Sequence, residues 1–259
     1  MLFDTHVHLD QEEFDADRTA VIDRARQAGV ELILAVGTDL ASSRKTVRLA
    51  EDHAEIFAAA GIHANSAAQA DPGDWDQIVK LADHPRVVAV GETGLDRYWD
   101  YTPFALQQEY FDRHLSLSQE RNLPVVIHCR DAADDLMSML RRAAARAPLK
   151  GILHAFSGDA RMAAECLELG LHVSFAGNVT YKNKKFEQLR LAAAAVPLDR
   201  LLIETDSPYL TPEPLRGHEK RNEPAWVAYT AQFLAQLRGM AVVELEQQTT
   251  LNGRRLFSI

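Results

Sequence analysis

The sequence predicts an α/β protein, a (β/α)₈ TIM barrel in a single domain, and three observations carry this prediction. Apolar stretches of strand length alternate eight times with longer helical patterns along the 259 residues. The strand stretches are continuously apolar, as expected of parallel strands covered on both faces. No linker, low-complexity segment or short repeat divides residues 1–259. Eight such units in this length favour a barrel over an open doubly wound sheet.

Each predicted strand is a short apolar run that ends near a glycine or a polar residue. In chain order the strands are Leu2–Val7, Leu32–Gly37, Ile56–Ile62, Val87–Val90, Pro124–Ile127, Gly151–Leu153, Leu171–Ala176 and Leu201–Glu204.

The helices are predicted where apolar residues recur at helical spacing. The first helix is predicted at Asp15–Ala28, and Gly29 ends its pattern. Its shared face carries Val21, Ile22, Ala25 and Ala28, and the shared face of the fifth helix carries Leu136, Leu140, Ala143 and Ala147. The other helices are Ala41–Asp52, Asp74–Ala82, Phe104–Arg121, Ala160–Leu169 and Phe186–Val196, with two more near Ala225–Arg238 and Val242–Phe257.

The composition is typical of a globular protein, with 47% hydrophobic and 25% charged residues. No apolar run has the length of a bilayer span, and no secretory signal precedes the first strand. The two cysteines give no disulfide framework, so a cytoplasmic location with reduced thiols is expected. A net charge of −9 argues against bulk binding of nucleic acid but permits a local basic patch or a bound cation.

Histidines and carboxylates gather at the predicted strand ends, where barrel enzymes carry their sites. His6 and His8 leave one strand on the same face because strand side chains alternate, so both can bind one metal ion. The other strand-end residues are His63, Glu92, His128, His154 and Asp206. A buried histidine often only binds a carbonyl, and an aspartate before Ser-Pro often only caps a turn. Together, however, these groups would repel one another without a cation, so two divalent ions are predicted.

The same residues lie in motifs that together are specific to one family. These motifs are Asp4–His8, Gly61–His63, Gly91–Asp96, Pro124–His128, His154–Gly158, Glu204–Pro208 and Arg221–Pro224. In this order they resemble the TatD-type metal-dependent hydrolases, and the resemblance spans the whole chain. Three positions depart from the family pattern, since Ala64, Thr93 and Ala155 replace the usual Pro, Ile and Cys. None of these departures removes a donor.

The resemblance implies a barrel with a two-metal centre at the C-terminal ends of its strands, and hydrolysis of phosphodiester bonds in DNA. It assigns one ion to His6, His8, Glu92 and Asp206. Glu92 would bridge to a second ion held by His128 and His154. The ions could be Mg²⁺, Mn²⁺ or Zn²⁺. Catalysis is assigned to Glu92 and to Asp206, which would orient the attacking water and take its proton.

Contacts to a nucleic acid substrate are predicted from residues near the mouth of the barrel. The loops after the seventh and eighth predicted strands carry Lys184, Lys185, Arg216 and Lys220, which could bind the phosphate backbone. After Glu92, the run Arg97–Tyr101 mixes a cation with aromatic rings, which suits a stacked strand end, and Arg97 and Tyr98 are its candidate substrate contacts. His63 is a further candidate for a phosphate contact. Solvated charges and packed aromatic side chains are the alternative for these loops.

Three functions are consistent with the sequence. The first is a metal-dependent deoxyribonuclease that acts on DNA ends, with DNA as the partner and tRNA as a second possibility. The second keeps the metals and hydrolyses another ester or amide, as a D-aminoacyl-tRNA deacylase does. The third, a non-catalytic binding protein, would be favoured by a missing donor, and none is missing.

Overall fold

Eight parallel strands follow the chain order around one sheet in the computed structural model, which describes residues 1–259. The strands are β1 Leu2–Val7, β2 Val30–Val36, β3 Ile56–Ala60, β4 Val87–Asp96, β5 Val125–Arg130, β6 Gly151–Leu153, β7 Leu171–Phe175 and β8 Leu201–Ile203. Where β8 meets β1, the Asp206 amide donates to the His6 carbonyl at 3.0 Å and the His8 amide to the Ser207 carbonyl at 2.9 Å. The strands therefore form a nearly closed barrel, which confirms the predicted (β/α)₈ fold.

One helix follows each of the first seven strands, and two follow the last. They are α1 Arg18–Gln27, α2 Leu40–Asp52, α3 Asp74–Ala82, α4 Phe104–Arg121, α5 Ala133–Arg146, α6 Ala160–Glu168, α7 Glu187–Ala195, α8 Val227–Arg238 and α9 Val242–Phe257. The predicted α3, α4 and α9 have the observed bounds. Ala147 lies one residue beyond α5, where the backbone is already extended. No helix combines the length and the apolar content required to cross a membrane.

Successive residues along a strand point to opposite faces of the sheet and belong to two different apolar cores. Ile33 and Ala35 of β2 belong to the larger cluster, which strands and helices share, whereas Leu34 belongs to a smaller cluster inside the barrel. The end of α9 adds to the inner cluster, and the rings of Phe257 and Phe3 meet edge to face at 5.7 Å. The barrel is therefore closed by apolar side chains near the start of β1, and its polar groups lie at the other end.

An irregularity in β4 places a carboxylate at that polar end. The pairing with β5 shifts between Val90 and Thr93, because three steps along β4 match two along β5. Gly91 lies inside this bulge with φ of 122°, and a Cβ there would lie 2.5 Å from the carbonyl oxygen of Val126. Only glycine fits such a position. The sequence predicted a strand that stopped at Val90, but β4 continues past the bulge to Asp96.

Candidate metal centre

Glu92 lies at the middle of the polar cluster, and its two oxygens face different histidines. Oε2 lies 3.3 Å from His6 Nε2 and 3.5 Å from His8 Nε2. Oε1 lies 2.8 Å from His154 Nε2 and 3.1 Å from His128 Nδ1. All five side chains are wholly or largely buried. One carboxylate thus joins two pairs of imidazoles.

Asp206 completes the first of these groups. Its Oδ1 lies 3.5 Å from His8 Nε2 and 3.7 Å from His6 Nε2. The backbone at Asp206 has φ of 54°, in the left-handed region that residues other than glycine rarely adopt. Such strain often accompanies functional positions. Donor atoms of His6, His8 and Asp206 all lie within 4.8 Å of one another, which is close enough for one ion.

Three of the histidines bind an acceptor through the ring nitrogen that faces away from the centre. His8 Nδ1 lies 3.1 Å from the Val36 carbonyl oxygen. His128 Nε2 lies 3.1 Å from Asp96 Oδ2, and His154 Nδ1 lies 3.4 Å from Glu204 Oε1. In the neutral ring, an acceptor there keeps the hydrogen on the outer nitrogen, so the inner nitrogen presents a lone pair to the centre. Metal-binding histidines have this arrangement.

His63 has the opposite arrangement. Its Nδ1 accepts the Asn65 amide hydrogen at 3.0 Å, so in the neutral ring the hydrogen lies on Nε2. That Nε2 lies 3.4 Å from Glu92 Oε1 and faces the same centre. In its neutral form His63 therefore offers a hydrogen-bond donor where His8, His128 and His154 offer lone pairs.

The electrostatics of the cluster favour a bound cation. Burial lowers the pKa of His6, and the neighbouring His154 lowers it further. Burial alone would raise the pKa of Glu92, but His154 and the other nearby histidines hold it well below its usual range. His154 Nε2 is buried without a hydrogen-bond partner although it lies close to Glu92. Burial opposes the charged form of His8, His128 and His154, but the nearby carboxylates raise the pKa of His8 to about 9 and raise those of the other two. Positive charge therefore collects around Glu92, and divalent ions that accept nitrogen and oxygen donors could replace those protons.

A cavity of about 750 Å³ opens above the cluster. Its floor is formed by His8, His63, Glu92, His128, His154 and Asp206. Its walls include Asn65, Trp99, Tyr101, Arg130, Asn178 and Tyr209. We call this space the mouth cavity. His6 lies beneath this floor and contacts Glu92 and Asp206. With the six floor residues, seven of the predicted site residues therefore come together.

The other predicted substrate contacts lie outside the mouth cavity. Arg97 pairs with Asp135 at 2.9 Å, and its guanidinium lies 3.6 Å from the ring centre of Phe104. Tyr98 is exposed, and its ring lies under the guanidinium of Arg130 at 3.7 Å. The remaining four, all exposed on the loops after β7 and β8, are Lys184, Lys185, Arg216 and Lys220. Their contact with a substrate stays a prediction.

Two buried carboxylates of the site were not predicted from the sequence. Asp96 and Glu204 contact the outer nitrogens of His128 and His154, as described above. Both lie inside motifs that the sequence already offered. Glu204 precedes Asp206 by two residues, and alternation at the end of β8 could have indicated a second inward carboxylate.

A barrel of this type, with such a cluster at the C-terminal ends of its strands, defines a metal-dependent hydrolase. The model of the family described as TatD related DNase matches residues 3–258. The chain therefore belongs to the TatD family.

Relatives of known sequence and structure agree with this assignment. The uncharacterized metal-dependent hydrolase YabD of Bacillus subtilis is 43% identical over 259 residues, and the match covers all of both chains. The 3'-5' ssDNA/RNA exonuclease TatD of Klebsiella pneumoniae is 37% identical, with 100% of this chain and 98% of the relative covered. The crystal structure of YJJV, a TatD homologue from Escherichia coli, superimposes with a TM-score of 0.92 at 31% identity, covering 100% of this chain and 98% of that one.

Proposed function

We propose that this protein is a deoxyribonuclease that uses two divalent ions to hydrolyse phosphodiester bonds at the ends of DNA strands. The observation that carries the proposal is the division of donors by Glu92, whose oxygens face two separate pairs of histidines at 2.8–3.5 Å. A relative that is 37% identical is named a 3'-5' exonuclease of single-stranded DNA and RNA. A cytoplasmic location remains a prediction.

The donors fall into two sets that share Glu92. His6, His8 and Asp206 would hold one ion with Glu92, and His128 and His154 would hold the other. When bound, two such ions activate a water, polarise a phosphoryl oxygen and stabilise the leaving oxygen. Asp96 and Glu204 would keep the outer hydrogens of His128 and His154 in place.

Three side chains would act on the substrate directly. Asp206 is the more exposed of the two central carboxylates, with a side chain 13% accessible against 4% for Glu92, so it can take the proton of an attacking water. His63 Nε2 can donate a hydrogen bond to a phosphate oxygen. Arg130 is the cationic side chain on the wall of the mouth cavity, and its position over Tyr98 fixes it there.

The test is hydrolysis by metal-free and metal-refilled protein. End-labelled single-stranded DNA, duplex DNA and a D-aminoacyl-tRNA are offered in parallel, and metal content is measured by elemental mass spectrometry. We expect DNA cleavage that depends on Mn²⁺ or Zn²⁺ refilling. Full activity after chelation would contradict the two-ion proposal. Deacylation of the tRNA without DNA cleavage would favour a metal-dependent D-aminoacyl-tRNA deacylase instead.

Two variants separate the roles of the carboxylates. Glu92→Ala should lose both metal and turnover, because Glu92 faces both donor sets. Asp206→Asn keeps an oxygen of similar shape, so it should retain more metal while the rate falls by roughly 10²–10⁴-fold, as on loss of a general base. Asp76→Asn on the exposed face of α3 is the matched control. Wild-type cleavage by Asp206→Asn at full metal content would make Asp206 a turn residue.

A further inference from the structure

The exposed aromatic side chains of this protein are confined to the mouth of the barrel. The aromatic residues with exposed side chains are Tyr98, Trp99, Tyr101 and Tyr209. Three follow β4 and one follows β8, so all four lie on loops at the C-terminal ends of the strands. The other rings are buried or half-buried. Exposed apolar groups collected in one region are typical of a binding surface.

Three of these rings line the mouth cavity from opposite sides. In a closed barrel of eight strands, β4 and β8 lie across from each other. Trp99 and Tyr101 come from the β4 side, where their rings stack with centres 5.2 Å apart and planes 17° apart. Tyr209 comes from the β8 side, and its ring centre lies 6.1 Å from that of His8. The metal centre therefore lies between two aromatic walls.

Each wall is anchored by a polar side chain that lines the mouth cavity, Asp96 on one side and Gln11 on the other. Asp96 Oδ1 accepts the Trp99 amide hydrogen at 3.0 Å, and Oδ2 of the same carboxylate lies against His128. Tyr209 donates its hydroxyl hydrogen to Gln11 Oε1 at 2.9 Å. The loops are thus anchored through backbone and hydroxyl groups while the side chains of Trp99, Tyr101 and Tyr209 stay exposed.

We propose that these walls bind the unpaired nucleobases that flank the cleaved phosphodiester, one on Tyr209 and one on Trp99 and Tyr101. This inference rests on the proposed function. A phosphate above Glu92 and Asp206 has bases on both sides, and an open aromatic face binds any base by stacking. In a duplex, base pairing and stacking hold the base next to the terminal one between its neighbours, so two adjacent bases reach the two walls more readily from an unpaired end. The geometry therefore assigns the binding of the two flanking bases to Tyr209 and to the stacked pair Trp99 and Tyr101.

The experiment compares ordinary and abasic oligonucleotides. A single-stranded DNA with all bases is compared with two versions in which tetrahydrofuran replaces the nucleoside on either side of the cleaved bond. Wild type, Trp99→Ala and Tyr209→Ala are measured for KM, for affinity by fluorescence anisotropy and for metal content. Trp99→Phe and Tyr209→Phe keep a ring, and Leu191→Ala on α7 removes an exposed apolar side chain elsewhere.

Each alanine variant should bind ordinary DNA roughly 5- to 150-fold more weakly, the range typical of one stacked base. The same variant should show little loss on the oligonucleotide that lacks its base, because the stacking partner is already absent. The phenylalanine variants should recover most of the affinity, and metal content should be unchanged. These results together would support the two walls.

Equal losses on ordinary and abasic DNA, or no loss, would overturn the inference. Wild-type protein that cleaves no nucleic acid after metal refilling would refute the proposed nuclease function instead. In that case the anisotropy arm still decides the inference, because base-dependent binding requires no turnover. If wild type cleaves DNA but every protein binds ordinary and abasic DNA with the same affinity, the nuclease proposal stands and base binding by the two walls is rejected.

Discussion

Replacing Glu204 with Gln should weaken metal binding without weakening the fold. Glu204 is fully buried, and its Oε1 accepts the Ala155 amide hydrogen at 2.7 Å and lies 3.4 Å from His154 Nδ1. Glutamine keeps the shape and the acceptor for Ala155, but it removes the negative charge behind His154. Changes to such outer partners typically cost 10–100-fold in metal affinity. Because 3.4 Å is long for a hydrogen bond, we expect the lower end, about 10-fold, or about 1.4 kcal/mol.

The same substitution should not lower the free energy of unfolding of the metal-free protein. Oε1 of Glu204 faces His154 and the Ala155 amide, but Oε2 is buried without a hydrogen-bond partner, and such an unsatisfied oxygen is costly. The neutral side chain should therefore leave the metal-free protein at least as stable as wild type.

The assay titrates metal-free wild type, Glu204→Gln and the exposed control Glu168→Gln with Zn²⁺ against a coloured chelator. Urea unfolding of the metal-free proteins is measured beside it. A Kd for Glu204→Gln within twofold of wild type would refute the reasoning. So would a loss of metal-free stability large enough to account for the weaker binding, since Glu204 would then serve the fold.

Two further predictions concern the exposed lysines and a buried histidine. If Lys184, Lys185 and Lys220 bind phosphates, changing all three to Ala should make the slope of log affinity against log salt shallower by about 2 for single-stranded DNA, with metal content unchanged; an unaltered slope would assign them to solvated surface. Burial lowers the pKa of His114 from 6.5 to about 4, so between these values the unfolded chain binds a proton that the folded protein does not. The free energy of unfolding therefore decreases as pH falls, by about 2 kcal/mol between pH 7 and pH 5 from this group. In urea unfolding at both pH values, the decrease for His114→Gln should be smaller than that of wild type by this amount. Equal decreases would contradict the assignment.

Strand alternation and apolar periodicity were sufficient to predict the barrel and to bring the donors together. His6 and His8 lie two residues apart, and their Nε2 atoms meet at 3.2 Å as expected for one face of a strand. The position of Glu92 followed from the end of an apolar run. The continuation of β4 beyond it did not, because Gly91 and Gly94 interrupt the apolar pattern that predicts a strand.

The loops could not be placed from periodicity. The run Arg97–Tyr101 was predicted to stack on a substrate, but the sequence did not show which of its rings face the mouth cavity. Trp99 and Tyr101 line the cavity and Tyr98 does not. Asp96 binds the amides of Tyr98 and Trp99 and turns the chain there. A shift of one residue in a loop exchanges which ring faces the site. The tautomers of the histidines likewise depend on partners from other strands, as with Glu204 behind His154.

The Arg221–Pro224 motif resembles the family although none of its side chains belongs to the donor cluster. Arg221 binds both carboxylate oxygens of Asp17, at 2.7 and 2.8 Å. Glu223 binds Arg24 through two nitrogens, at 2.9 and 2.6 Å. Two ion pairs therefore tie the loop after β8 to α1 and to the residue just before it.

Asn222 lies between those two ion pairs and binds the turn that carries Asp206. It is fully buried, and its Nδ2 donates to the carbonyls of Thr205 at 2.9 Å and Tyr209 at 2.6 Å. Its own amide donates to the Pro208 carbonyl at 3.0 Å. These bonds hold both ends of the turn that carries Asp206, whose left-handed backbone costs on the order of 1–3 kcal/mol. The motif thus offsets that strain. Through the side chain of Asn222 it also fixes the positions of Asp206 and of Tyr209.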